Sequence, residues 1–312
     1  MASAVLFTLG TRGSPLALAQ AQETRTRLAA AHGWDEARVA IAVIRTSGDL
    51  IQDRPLAEAG GKGLFTKEID SALLDGRIDF AVHSAKDLPT ALPDGVALAG
   101  FLPREDPRDA LVSALADSLP ALPRGARLGA ASLRRRAQAL RLRPDLRVEL
   151  LRGNVETRLT KAESGAIDAT LLAMAGLKRL GLAHRARAAL DIEAFLPAVG
   201  QGAIALAARR GDARTLDALA AIADAETASA LAAERAFLAE LDGSCRTPIA
   251  GHARLVDGRL TLRGQVLRED GSETFEARVS GRPADAARLG AEAGRELRRR
   301  LPPGVLAADP AR

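Results

Sequence analysis

Two α/β domains of like design followed by a smaller α+β domain are the fold class this sequence predicts. Three observations carry the prediction. Short apolar strands alternate with amphipathic helices through the first two thirds, in two series. Pro103 and Pro107, with Arg104-Glu105-Asp106 between them, mark a crossing from one series to the other. After Ala225 the alternation gives way to a helix, three strands and hairpin turn signals. At 312 residues, 47% hydrophobic and 27% charged, the chain can bury more than one core.

Residues 5–9 read as the first strand, and Thr11-Arg12-Gly13-Ser14-Pro15 turns into a helix reaching about residue 31. Ser14 is its N-cap and Pro15 its first helical residue, where a missing N–H costs nothing. Residues 39–44 alternate as a second strand, 66–74 are helical, and 78–83 form a nearly all-apolar third strand. This βαβ order predicts a parallel, buried sheet. The second series runs strand 127–130, helix 132–142 capped by Ser132, strand 148–151, helix 155–164 and strand 169–173. In the last third a helix at 226–241 leads into a loop, then strands at 249–256, 259–268 and 273–280, and a helix at 283–301. Asp257-Gly258 and Asp270-Gly271 are the hairpin turns of that sheet.

Composition narrows the function. The start lacks a basic stretch followed by a long apolar run, and no segment offers about 18 uncharged apolar residues, so the expectation is a cytoplasmic protein without a membrane span. One cysteine, Cys245, forms no internal disulfide, and four scattered histidines have no zinc spacing, so no metal is expected. The net charge of +5 hides an arginine excess between Arg124 and Arg158, which reads either as a solvated surface or as an anion site. Nucleic acid fits poorly, because aromatic residues are 3% and tyrosine is absent, leaving few stacking platforms. Small carboxylates or phosphates fit better.

Several loops converge on such an anion. Ser84-Ala85-Lys86-Asp87 lies at the carboxyl end of a strand, where open α/β sheets build their sites. Asp87 could relay a proton, face a cation or simply cap a turn. It is accompanied by Arg12 and Ser14 after the first strand, by Ser132, Arg134 and Arg135 after another, and by Arg152 and Arg158 around the next. Arginine at helix starts suits two-pronged carboxylate recognition, and helix N-termini aim backbone amides at the same charge. Gly60-Gly61-Lys62-Gly63, with Phe65 beyond it, lacks the spacing of a phosphate loop and reads as a lid.

The segments TRGSPLALAQAQ, GGKGLFTKEID, AVHSAKDLPT, REDPRDA, ASLRRRAQ, LRGNVETRL, LAMAGLKRLGL, LPAVGQGA and GSCRTPI, in that order, resemble the porphobilinogen deaminase (hydroxymethylbilane synthase) family. The resemblance spans roughly residue 6 to the cysteine loop and weakens beyond it. It implies two domains like type II periplasmic binding proteins around a cleft, with a third domain bearing the cofactor loop. The domains would comprise residues 1–102 with 202–222, residues 103–201 and residues 223–312, the first domain taking back a strand near 203–208.

The implied activity is the head-to-tail joining of four porphobilinogen molecules with loss of ammonia, giving 1-hydroxymethylbilane for tetrapyrrole biosynthesis. It would be built on one dipyrromethane cofactor tethered by a thioether to Cys245. The resemblance assigns Asp87 as the catalytic carboxylate. Lys86, Asp87, Ser132, Arg134, Arg135 and Arg158 would hold the cofactor, and Arg12, Ser14, Arg152 and Arg158 the substrate. It also implies a monomer whose product passes to uroporphyrinogen-III synthase. One departure stands out: Gly129-Ala130-Ala131-Ser132 replaces the Gly-Thr-Ser-Ser of many relatives, removing two hydroxyls at ~1 kcal/mol each if they make hydrogen bonds elsewhere. A noncatalytic two-domain anion-binding protein would use the same folds and arginines. The cysteine loop favours the enzyme, although a lone cysteine is more often an inert buried residue.

Overall fold

The structure, a computed structural model, describes residues 4–50, 65–241 and 247–306. The first series forms β1 (Phe7–Thr11), α1 (Pro15–His32), β2 (Val39–Val43), α2 (Ser47–Leu50), α3 (Lys67–Leu74), β3 (Phe80–Ser84) and β4 (Val96–Phe101). The second forms β5 (Asp109–Ser113), β6 (Arg127–Gly129), α4 (Leu133–Leu142), β7 (Arg147–Glu149), α5 (Val155–Glu163), β8 (Ala169–Ala173), α6 (Met174–Arg179) and β9 (Ala188–Ala189). Then come β10 (Ile204–Arg209), α7 (Ala213–Ala220), α8 (Ala225–Glu240), β11 (Ile249–Val256), β12 (Arg259–Leu267), β13 (Thr274–Gly281) and α9 (Ala286–Arg300).

Two sheets share one design. The first has the order β2-β1-β3-β10-β4, and the second β7-β6-β8-β5-β9. In each, three strands run parallel and the fourth position holds a strand running the other way: β10 lies antiparallel to β3 and β4, and β5 antiparallel to β8 and β9. The expected all-parallel sheet is therefore corrected to a mixed one. The physical reason is the double crossing of the chain, since β5 and β10 enter their sheets directly from the two connections. Both had escaped local pattern reading, as had β4. The strand expected at 203–208 from the resemblance alone is β10.

The third sheet is the antiparallel meander β11-β12-β13. Asp257 and Gly258 both take positive φ, 51° and 72°, as a two-residue hairpin turn requires. α8 and α9 cover one face of this sheet, burying Phe237, Leu262, Val266 and Leu297. That cluster continues into Ala85, Leu88, Phe101 and Val199, so the third unit packs against the strand ends of the first sheet. The other two sheets have separate cores around Leu9, Phe80 and Leu206, and around Leu111, Leu128 and Phe195.

The two crossings are held together at one point. Arg104, in the first crossing, donates from Nη1 to Glu234 Oε1 at 2.5 Å and from Nε to the Gln201 carbonyl at 2.9 Å. Glu234, fully buried on α8, also accepts from the Gly200 and Ala253 amides at 2.7 Å each. Both crossings and the third unit thus meet on one carboxylate. Gly202 has φ +92°, and a Cβ there would overlap the Glu105 carbonyl, which explains why the second crossing carries glycine where it passes the first.

Candidate active site

Four chain turns converge on the gap between the first two sheets. At the first, Ser14 caps α1 by accepting the Ala17 amide at 3.3 Å, which fixes the entry of the helix and sets Arg12 just before it. The Arg12 guanidinium lies 4.0 Å from the centre of the Phe65 ring. Phe65 is thereby joined to the site, whereas Gly60, Gly61, Lys62 and Gly63 of the expected lid lie outside the described residues. At the second turn, β3 ends at Ser84 and a single 3₁₀ turn, Ala85–Asp87, presents Lys86 and Asp87 to the opening. Ser84 Oγ and the Gln20 side chain of α1 bond to each other at 2.9 Å.

The third turn is the start of α4. Ser132 accepts the Arg135 amide at 3.4 Å, and the helix places Arg134 and Arg135 side by side. Both arginines are buried and share one carboxylate, Asp109, which is fully buried at the start of β5. Arg134 donates to it from Nη1 at 2.7 Å and Nη2 at 3.2 Å, and Arg135 from Nε at 2.9 Å. Gln201 Nε2 adds a bond at 3.2 Å. Burial would raise the Asp109 pKa, but the two guanidinium groups overcome it and hold the carboxyl well below the usual range. Arg134 is thus committed largely to Asp109 and to the Leu196 carbonyl, while its buried Nε has no hydrogen-bond partner among the described residues.

The fourth turn is the start of α5. Asn154 caps it by accepting the Thr157 amide at 2.9 Å. Gly153 has φ +116°, and a Cβ there would press on the Thr157 side chain, so glycine is needed to bring Arg152 into the helix entry. Arg158 Nε donates to the Gly153 carbonyl at 2.8 Å, which folds the side chain back toward the same turn.

Electrostatics ties these turns together across the gap. Burial brings the Arg158 pKa down to about 10; Arg135 and Arg152 push the same way, and Asp87 opposes them. Lys86 comes down to about 8, first because it loses solvation, then because of Arg135, with Asp87 and Asp109 opposing. Lys86 is nonetheless exposed. That exposure shows only that the cleft is open; the walls around it displace the bulk water that would otherwise stabilise the ammonium. Lys86 and Asp87 of the first unit therefore face Arg135, Arg152 and Arg158 of the second. Cations outnumber carboxylates here, so the cleft suits a ligand with several negative charges.

Beside Asp87, a cavity of about 60 Å³ is lined by Arg12, Ser14, Gln20, Phe65, His83 and Ser84 among others. Residue-type reasoning missed Asp109, His83, Gln20 and Gln201. Only Asp109 had a legible signal: two adjacent arginines on a buried helix face require a countercharge, and REDPRDA supplies one. Asp242 to Arg246, including Cys245, lie outside the described residues. They connect α8 to β11, whose Gly251 amide donates to the Pro197 carbonyl of the second crossing at 3.0 Å. Among the described residues no group of His, Cys, Asp and Glu could hold a metal ion, and no helix is long and apolar enough to cross a membrane.

Comparison with known sequences gives two family matches. The family model described as "Porphobilinogen deaminase, dipyromethane cofactor binding domain" matches residues 7–217, and that described as "Porphobilinogen deaminase, C-terminal domain" matches residues 228–299. The chain is 61% identical to a porphobilinogen deaminase of Nitrobacter hamburgensis, covering 95% of this chain and 94% of that protein. It is 56% identical to one of Paracoccus denitrificans, covering 94% of each. Among solved structures, an ABC transporter periplasmic substrate-binding protein from Coxiella burnetii overlays with a TM-score of 0.44 at 16% identity, covering 70% of this chain and 92% of that one.

Proposed function

Because the chain belongs to the porphobilinogen deaminase family, we propose that its cleft joins four porphobilinogen molecules head to tail, releasing one ammonia per addition, and frees the linear tetrapyrrole 1-hydroxymethylbilane by hydrolysis. The observation that carries this reading is the meeting of one solvent-facing carboxylate, Asp87, with an excess of cations drawn from the other half of the molecule. Porphobilinogen carries an acetate and a propionate, so every added ring brings two more negative charges. A cationic cleft offsets them as the chain grows.

Asp87 faces the reacting ring. When the aminomethyl C–N bond breaks, ammonia leaves and an azafulvene cation remains on the substrate; a carboxylate near its pyrrole nitrogen stabilises that charge where it develops. The same carboxylate can hold a pyrrole N–H. Lys86, Arg152 and Arg158 bind the acidic side chains, and Arg12 with Ser14 holds those of the incoming ring. Arg135, fixed on Asp109 by one edge, adds positive charge to the cleft wall from a position it cannot leave.

The donor set also fits a dipyrromethane cofactor, an acidic two-ring group, because the cleft is over-supplied with cations and Arg134 Nε is buried without a described partner. When bound, it supplies the pyrrole carbon that acts as nucleophile. Cys245 is the thioether anchor in this reading, and Lys86, Asp87, Ser132, Arg134, Arg135 and Arg158 hold the cofactor. Residues 1–102 with 202–222, 103–201 and 223–312 are the three domains. We place the enzyme in the cytoplasm as a monomer, handing its product to uroporphyrinogen-III synthase.

Intact mass tests the anchor. The purified protein is expected to exceed its sequence mass by two linked pyrrole units, and the excess disappears in Cys245→Ala. A mass equal to the bare chain, after expression with porphobilinogen available, overturns the assignment.

A further inference from the structure

His83 sits in β3, opposite Ala205 of β10, and is only 6% exposed. Its Nε2 is buried and has no hydrogen-bond partner among the described residues, although a buried polar atom is normally satisfied. The ring lines the cavity of about 60 Å³ that also meets Arg12, Ser14, Gln20, Ser84 and Asp87. A space of that size holds a carboxylate or a few waters. Among its other polar walls, Ser14 caps α1, and Gln20 and Ser84 are bonded together. His83 lines this cavity, and its Nε2 lacks a hydrogen-bond partner among the described residues.

We infer that His83 is a substrate-binding residue whose Nε2–H donates to the porphobilinogen carboxylate held against Arg12, setting which way round the incoming ring enters. Burial, reinforced by the nearby Arg12 charge, brings the His83 pKa down to about 4, so the ring is neutral at working pH. A neutral donor beside a guanidinium suits an anion without adding a second buried charge that Arg12 would repel. Asp87, on the same cavity, excludes a carboxylate from its own side by like-charge repulsion and favours a pyrrole N–H there. Acid group toward Arg12 and His83, ring nitrogen toward Asp87, is then the orientation the walls allow. The inference rests on the activity proposed above.

The test uses the full-length protein carrying its cofactor, confirmed by intact mass, with ammonia release measured for wild type, His83→Leu and His83→Gln. His83→Leu is expected to raise KM for porphobilinogen roughly tenfold, the cost of about one lost hydrogen bond to a charged group, with kcat within about threefold of wild type. His83→Gln, whose amide N–H reaches to about the same place, should restore KM to within about threefold. A KM unchanged in His83→Leu, or equal losses in both variants, overturns the inference, since equal losses mean packing alone. Should His83→Leu not fold, histidine ¹⁵N resonances of slow Asp87→Ala holoenzyme decide the matter: added porphobilinogen must shift the His83 Nε2 signal, and an unmoved signal overturns the role. A wild-type protein that releases no ammonia overturns the parent activity and takes this inference with it.

Discussion

The two sheets share a strand order but spend their aspartates differently. Asp87, at the end of β3, is open to the cleft, while Asp109, at the start of β5, is fully buried beneath Arg134 and Arg135. One carboxylate is left available for a passing cation; the other fixes two guanidinium groups in place. The same topology therefore yields a reactive wall and a rigid charged wall. The contrast also explains why burial alone does not identify the catalytic carboxylate: the more deeply buried aspartate has no unmet charge.

Asp109→Ala is the most damaging way to break the contrast. It leaves two buried arginines without their countercharge, and unfolding in denaturant should show a loss of roughly 3–5 kcal/mol. The pH dependence has the same origin. Because the folded pKa of Asp109 is depressed, its stabilisation is fully present above the ordinary carboxylate range and is lost as pH falls below it. Wild type should therefore weaken in acid more steeply than Asp109→Asn. An Asp109→Ala protein as stable as wild type would remove the rigid wall from this account.

Asp87→Ala should do the reverse. Stability stays within about 0.5 kcal/mol of wild type, as for an exposed substitution, while ammonia release falls by roughly 100- to 1,000-fold with porphobilinogen binding retained. Undiminished turnover would deny Asp87 its role. Lys86 sharpens the picture on the pH axis. Its charge is lost as pH rises through about 8, so kcat/KM should fall above that point. A bound carboxylate favours the charged form, moving the fall in kcat to higher pH, and Lys86→Met should abolish the limb. The smallest effect compares the two serine caps: Ser14→Ala and Ser132→Ala should each cost about 1 kcal/mol by thermal or chemical unfolding. Equal costs would mean that the caps serve helix entry alike on both walls.

What could be read in the sequence was what is local. Ser14-Pro15, Ser132 and Asn154 announce helix starts within a few residues, and α1, α4, α5 and the hairpin at Asp257-Gly258 follow from such signals. The cationic cluster was legible because its members sit at those starts. β4 and β5 were not, and β10 only through the family resemblance, because their places depend on partners far along the chain: Ile204 pairs with Ser84, and Asp109 with Arg134. His83 looked like one more apolar-strand residue. Nothing in AVHSAKD reveals that its Nε2 ends without a partner; that emerges only when β3 packs against α1 and Arg12.

The placement of β10 between β3 and β4 also bears on how the protein is made. Until Ile204–Arg209 has left the ribosome, the first sheet has a vacant central position, and two apolar strands present unpaired edges to the cell. At ordinary synthesis rates the interval from β4 to β10 lasts on the order of ten seconds. The first sheet to be started is thus completed only after the second, whose last strand is β9, and the nascent chain needs shelter for that time.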